Sequence, residues 1–287
     1  MLGLELLLLR LGLSLALNGL GVLLAVLKNH LKFPTGALAA LFLGVGLFTF
    51  NPFAWLLLLA FFISSSFLTK FKAPLKVDVQ EKFEKGSQRD IGQVFANGLP
   101  PVFYVILLTV FSISDLRSPL FIAVTTYFAA ANADTFSTEI GILAKSPPRW
   151  ILDLRRTVEK GTSGGVTLLG TLAGALGSLK ITSLLLIGVY LVSDLNRSPH
   201  AIFIALNLVF LGGLLGSIID SLLGASIQGF YFCPSCQIET EKRVHLKCGG
   251  TETHLVRGWK SITNDWVNLV SATTASLLAG FVCFLVL

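Results

Sequence analysis

Charge is scarce in this 287-residue chain: Asp, Glu, Lys and Arg together make up 13% of it, about half of what a soluble domain carries. With 53% hydrophobic residues and a mean hydropathy of +0.77, that scarcity excludes an ordinary soluble domain and a disordered polar chain alike. Cysteine is scarce too, at four residues. Cys233, Cys236 and Cys248 crowd together while Cys283 stands apart in the last apolar run, which excludes a disulfide framework and leaves the arithmetic of a metal site. No basic leader and no small-residue cleavage site flank the apolar stretch from Leu2 to Leu27, so it reads as a retained helix. Neither an internal repeat nor a Walker phosphate loop is found.

What is present is apolar sequence in spanning lengths. Runs fall at Leu4–Leu27, Ala37–Phe50, Phe53–Thr69, Val94–Phe111, Leu120–Ala144, Val166–Val192, Ala201–Gln228 and Trp266–Leu287. A membrane crossing takes about 20 residues, so the expectation is an all-α, polytopic membrane protein of about eight transmembrane helices, a single domain over 1–287. The sixth run is ambiguous, because Gly177, Ser178 and Lys180 could split it. Charge arbitrates. Eight spans place eighteen of the 22 Lys and Arg residues in alternate loops on one side, and a ninth would destroy the alternation. Lys and Arg are retained on the cytoplasmic side, which predicts both termini outside and explains the net charge of +6 without nucleic acid.

Ionisable and amide groups at the membrane need a reason, since burying one costs about 2.5–3.5 kcal/mol on insertion scales. Asp134 and Glu139 interrupt the fifth run, and at about 1.5 Å per residue from Pro119 the first lies about 22 Å along, in the inner half of the bilayer. Asp220 sits near the inner end of the seventh run, on a face with Gly213, Ser217 and Gly224. The eighth opens on a stripe of Asn264, Asp265, Asn268 and Ser271. Before the fourth, within a basic amphipathic cytoplasmic segment at 70–93, Lys82, Lys85 and Arg89 lead at helical steps into Gln93 and Asn97. Lys160 and the glycine-rich stretch Gly161, Thr162, Ser163, Gly164 and Gly165 precede the sixth, where unsatisfied N–H groups at a helix start favour phosphate. In the eight-span reading all of these meet at the cytoplasmic face. They are the parts that hold a nucleotide's phosphates through a divalent ion while a lipid phosphate arrives from the bilayer. A transporter would place its polar groups nearer the midplane.

In the last cytoplasmic loop, a zinc-knuckle-like insertion at 229–258, Cys233-x-x-Cys236 and His245-x-x-Cys248 supply four ligands, the number of a closed structural zinc site. His254 competes for the fourth place, and His245 has the tighter spacing.

Five motifs in order carry a resemblance: Gln93-Val94-Phe95-Ala96-Asn97-Gly98, Ala133-Asp134-Thr135-Phe136-Ser137-Thr138-Glu139-Ile140-Gly141, Gly161 to Val166, Gly216 to Ala225 with Asp220, and Asn264-Asp265-Trp266-Val267-Asn268. From about Lys82 to Leu287 the chain resembles the phytyl-phosphate kinase family of integral membrane proteins, once catalogued as a domain of unknown function and distantly akin to dolichol kinase and CDP-diacylglycerol synthase. The resemblance implies CTP-dependent phosphorylation of a prenyl monophosphate to the diphosphate; the cysteine loop is not shared by every relative. Mg²⁺ is then expected on Asp134, Glu139 or Asp220, with Lys82, Arg89 and Lys160 neutralising charge. Asn97, Asn264 and Asn268, with Asp265 and the residues from Thr162 to Gly165, would hold the nucleotide. A lipid-phosphate cytidylyltransferase would use the same parts; a transporter or scramblase is the non-enzymatic alternative.

Overall fold

The computed structural model describes residues 4–110, 114–191 and 198–287. Each apolar run forms helix. In chain order these are α1 (Leu4–Leu27), α2 (Thr35–Phe50), α3 (Pro52–Lys70), the short α4 (Val77–Gln80) and α5 (Ile91–Ala96), then α6 (Leu99–Val110), α7 (Ser114–Gly141), α8 (Leu168–Leu191), α9 (Pro199–Ser226) and α10 (Asn264–Val286). The sixth run is one continuous helix, α8. Arg197 and the end of the fourth run at Phe111 lie outside the described residues.

Among the described residues, five helices, α1, α3, α8, α9 and α10, are long and apolar enough to cross a membrane. The other three expected spans fall short of that standard for separate reasons. With 16 residues, α2 reaches only about 24 Å against a hydrocarbon core of about 30 Å, and the described part of α6 has 12 residues. The 28 residues of α7 are long enough but include Asp115, Arg117, Asp134 and Glu139. The fourth run is also broken between α5 and α6, because Pro100 and Pro101 lack the N–H groups a continuing helix needs and are tolerated only in a first turn. Pro119, expected to open the fifth span, sits inside α7.

The helix richest in polar groups is the most enclosed. From Phe121 to Ala133, α7 is buried on every side, with α3, α6, α8, α9 and α10 packed round it. In lipid there is no hydrophobic drive between helices, so association relies on close packing of small residues. A Cβ at Gly216 of α9 would stand 2.4 Å from the Ala130 Cβ, and one at Gly174 of α8 would stand 2.2 Å from the Ser137 Oγ. Larger side chains, including Leu43, Leu57, Phe121, Phe128, Ile181 and Leu185, fill the core away from these crossings. The outer faces carry exposed Leu9, Leu176, Phe203 and Phe281, a lipid-facing surface.

The all-α expectation is corrected in the loops, which hold three small antiparallel sheets. The strands are β1 (Arg149–Trp150), β2 (Asp153–Thr157), β3 (Gly165–Val166), β4 (Phe230–Cys233), β5 (Ile238–Thr240), β6 (Val244–His245), β7 (Thr251–Glu252) and β8 (His254–Arg257). They assemble in the orders β2-β1-β3, β5-β4-β8 and β6-β7. The amphipathic helix expected through Lys82, Lys85 and Arg89 does not form; 81–90 is irregular. Its backbone is held from outside, Arg89 N–H donating to the His30 carbonyl at 3.0 Å and Lys32 N–H to the Arg89 carbonyl at 2.9 Å.

The crossing of α7 and α9 yields a direct expectation. Gly216→Leu should lower the thermal midpoint in detergent by the equivalent of about 2 kcal/mol or more, through overpacking against Ala130. Gly86→Leu, where a side chain meets nothing within 4 Å, should leave it unchanged, and equal midpoints for the two variants would remove the crossing as a determinant of stability.

Candidate functional site

The loops and helix ends that carry the polar motifs meet at one end of the bundle. Its innermost feature is a pair of carboxyl groups. The carboxyl groups of Asp134 of α7 and Asp220 of α9 lie close enough to interact directly, a position that the Gly216 crossing one turn earlier makes reachable. Ser271 of α10 donates to the Asp220 Oδ2 at 3.1 Å and to the Asn268 carbonyl at 3.1 Å. The Asn268 Oδ1 is buried and has no hydrogen-bond partner among the described residues. Two carboxylates in contact require a shared proton or a cation between them. With an orphaned amide oxygen on the same face of α10 as Ser271, the donor set is all oxygen and suits a hard divalent ion.

Glu139 does not join this pair. Five residues after Asp134 it lies about 140° round the helix, on the α3 face. There Lys76, fully buried, pairs with its Oε2 at 2.6 Å and the Thr69 hydroxyl donates to its Oε1 at 2.7 Å. Arg89 is also on this side, donating to the Ser65 and Ser66 hydroxyls at 3.0 Å each and lying 5.3 Å from the Phe62 ring centroid. Lys160 caps the end of α7, its Nζ donating to the Ile142 carbonyl at 3.0 Å and to the Ala144 carbonyl. These three groups of the expected site are thus engaged in holding loops to helix ends.

Lys82 does reach the glycine stretch: its side chain lies against Gly161 and its Nζ pairs with Glu159 at 2.6 Å. Lys85 reaches the start of α10, bridging Asp265 and Asp90. Asn264 is the first residue of α10, and the cap is Thr263 before it. Asn97 folds back on its own turn, donating to the Gln93 carbonyl at 2.9 Å.

The glycine stretch is not the start of α8. It forms a turn, Gly165 N–H donating to the Thr162 carbonyl at 2.9 Å, and then enters β3. Thr167 caps the helix, its hydroxyl accepting from Gly170 N–H at 3.0 Å. Gly164 has a φ of +84°, and a Cβ there would stand 2.4 Å from the Ala225 Cβ. Its glycine is therefore explained by close seating on the end of α9, one turn beyond Asp220, where Ser163 also sits.

Between the glycine turn and the cysteine loop lies a carboxylate that sequence reasoning missed. Glu241 is 8% exposed and accepts from the Ser163 hydroxyl at 2.8 Å, the Gln228 amide at 2.8 Å and Glu84 N–H at 3.1 Å. Burial pushes its carboxyl above the ordinary value, against the pull of those donors and of Arg257. Lys76 was likewise not singled out, and no spacing marks either residue, because each owes its place to segments far away in the chain. Beyond Glu84 a cleft of about 510 Å³ opens, walled by Glu84, Gly86, Lys242, Arg243, Val244 and Leu246.

The cysteine loop gathers as expected. Cys233, Cys236, His245 and Cys248 place one ligand atom each within 4.8 Å of one another, and the His245 Nδ1 is 3.2 Å from both the Cys236 and Cys248 sulfurs. His254, the competing ligand, is exposed on β8. Four soft and borderline donors at this separation match a tetrahedral metal centre.

Residues 16–276 match the family model described as integral membrane protein DUF92. The chain is 34% identical over 235 residues to Protein PGR of Arabidopsis thaliana, covering 78% of this chain and 79% of the relative. It is also 34% identical over 209 residues to an uncharacterized membrane protein of Methanocaldococcus jannaschii, covering 71% of this chain and 78% of that one. No solved structure matches the chain.

The entry into α5 sets a pH expectation. Asp90 caps that helix in a reciprocal box with Gln93. Burial raises its carboxyl, but the Gln93 N–H and Lys85 outweigh burial and hold it below the ordinary carboxylate value. A carboxylate depressed in the folded state stabilises the fold above its unfolded value, and that contribution is lost as pH falls through the folded one. Asp90→Ala should therefore cost about 1 kcal/mol at neutral pH, with the deficit closing in strong acid; a deficit independent of pH in detergent unfolding curves would contradict this.

Proposed function

The chain belongs to the DUF92 family of integral membrane proteins, and from that premise we propose that it is a CTP-dependent kinase that phosphorylates a prenyl monophosphate to the diphosphate at the cytoplasmic face of the membrane. The observation that carries the reading is the approach of Asp134 to Asp220 at the loop-bearing end of the bundle, under the glycine turn, with the orphaned Asn268 Oδ1 one turn of α10 from the Ser271 that bonds Asp220. In eight-span topology both termini lie outside, and the family resemblance supplies the donor and acceptor.

Asp134, Asp220 and the Asn268 oxygen would hold Mg²⁺, which when bound screens the nucleotide's phosphates and the charge that develops on them. The acceptor needs no general base, because a lipid phosphate oxygen is anionic at neutral pH. That oxygen forms the new bond to the γ-phosphorus, the bond from the γ-phosphorus to the bridging β–γ oxygen breaks, and CDP leaves. Lys82, beside Gly161, offers positive charge at the glycine turn. The cleft beside Glu84, with Lys242 and Arg243 on its wall, has the size of a small-ligand site and suits the cytidine end. The prenyl chain remains in the bilayer. Glu139, Arg89 and Lys160 support this site by fixing the helix ends around it.

The test is a product assay on purified protein with radiolabelled CTP and a panel of prenyl monophosphates. Prenyl diphosphate and CDP are expected, with Asp134→Asn and Asp220→Asn each lowering turnover at least 10³-fold, on the order of what loss of a charge-stabilising group costs, while the protein stays folded. CDP-lipid with pyrophosphate would move the same site to a cytidylyltransferase. Neither product, with both variants matching wild type in a lipid or solute flux assay, would point to a transporter or scramblase.

The four-ligand centre in the cysteine loop is proposed to hold one structural zinc. Metal analysis should find one zinc per chain, lost in Cys236→Ala and kept in Cys283→Ala; equal retention in the two variants would remove the metal.

A further inference from the structure

Glu241 is a costly residue to bury. An enclosed carboxylate must recover the hydrogen bonds it gave up in water, and Glu241 recovers them from three separate segments: Ser163 in the glycine turn, Gln228 at the exit of α9 and Glu84 in the irregular stretch after α4. Its backbone ties in a fourth contact. Glu241 N–H and the Thr240 hydroxyl both donate to the Lys82 carbonyl at 2.8 Å, while the Lys82 side chain lies against Gly161. From β8 of the same loop, Arg257 donates to the Ser163 carbonyl at 3.0 Å and the Gly224 carbonyl at 3.3 Å. The cysteine loop thus grips the glycine turn from two sides.

The Cys/His cluster brackets Glu241 in the chain. Glu241 lies between Cys236 and His245 in the chain, so ligands flank it on both sides. The strands around it are two to four residues long, too short to build a core that would fix them unaided, and small elements of this kind depend on a staple such as a metal.

We propose that Glu241 is a positioning residue through which the metal-bound Cys/His loop braces the glycine turn at Gly161–Gly165 in its working conformation. The proposal deepens the phosphotransfer reading, on which it rests for what the turn does; the brace itself is a property of the fold.

The experiment is hydrogen exchange by mass spectrometry on the full chain in detergent, for wild type, wild type stripped of metal by a chelator, Glu241→Ala and Glu241→Gln. The readout is the peptide covering 158–167, whose Thr162 and Gly165 amides are hydrogen-bonded within the turn. Glu241→Ala should keep its metal and exchange the turn about tenfold faster, as expected from loss of its hydrogen bonds, with exchange in α7 to α10 unchanged. Chelation should reproduce the faster exchange. Glu241→Gln, which retains one acceptor, should fall between. In the CTP assay Glu241→Ala should raise KM by about tenfold with kcat within about twofold, the mark of lost positioning rather than lost chemistry. An unchanged turn in Glu241→Ala, or an unchanged turn after metal removal, would overturn the brace. If the turn loosens as expected while wild type turns over no CTP, the brace stands and the kinase reading falls.

Discussion

Everything at the loop-bearing end depends on how closely α8 and α9 approach α7. In the bilayer, packing of small residues does what the hydrophobic effect does in water. Glycines at 174, 177, 212, 213 and 216 face Ser137, Asn132, Thr126, Ala129 and Ala130 so closely that a single Cβ would collide. That approach encloses α7 and lets its carboxylate meet the one on α9. A helix with acids in its inner half would be expelled from lipid on its own; surrounded by five others, it becomes the axis of the molecule.

Enclosure also divides the polar groups of α7 into two chemically different faces. Toward α3 they are satisfied: Glu139 has Lys76 and Thr69, and Asn132 donates to the Gly177 carbonyl and accepts from Ser64. Even Lys180, within the span, finds the Ala60 carbonyl at 2.6 Å and the Ser64 hydroxyl at 2.5 Å. Removing one partner of such a pair leaves an uncompensated charge, so this face serves cohesion. Toward α9 and α10 the balance is left open, with two acids sharing one place and an amide oxygen without a donor. Satisfied groups hold a structure together, and a buried polar group left without a partner calls for an explanation.

The cationic loops then form a second layer. Three cations near the site have tertiary partners of their own: Lys82 with Glu159, Lys85 with Asp90 and Asp265, Arg89 with Ser65 and Ser66. This is why the helical spacing of 82, 85 and 89 proved misleading. The period matched a helix, but Gly86 and the pairing of Arg89 with the stretch after α1 pull the backbone away from one. Local pattern is a weak prior where distant partners hold each side chain.

Read alone, the sequence determined that this is a membrane protein, where its apolar segments lie, that α8 is unbroken, and which four residues form the thiol and imidazole cluster. All of these follow from short-range facts: hydropathy over one span length, alternation of Lys and Arg between loops, and ligand spacing within one loop. The membership in an integral membrane family agrees with them. Only the tertiary structure decided which carboxylates act together. Asp134 and Glu139 are equivalent to a reader of the chain, yet they point to different neighbours because a helix turns by 100° per residue and each face meets another helix. Glu241 and Lys76 were invisible for the same reason. Their burial is imposed by segments tens of residues away, and no one-dimensional period encodes a contact of that kind.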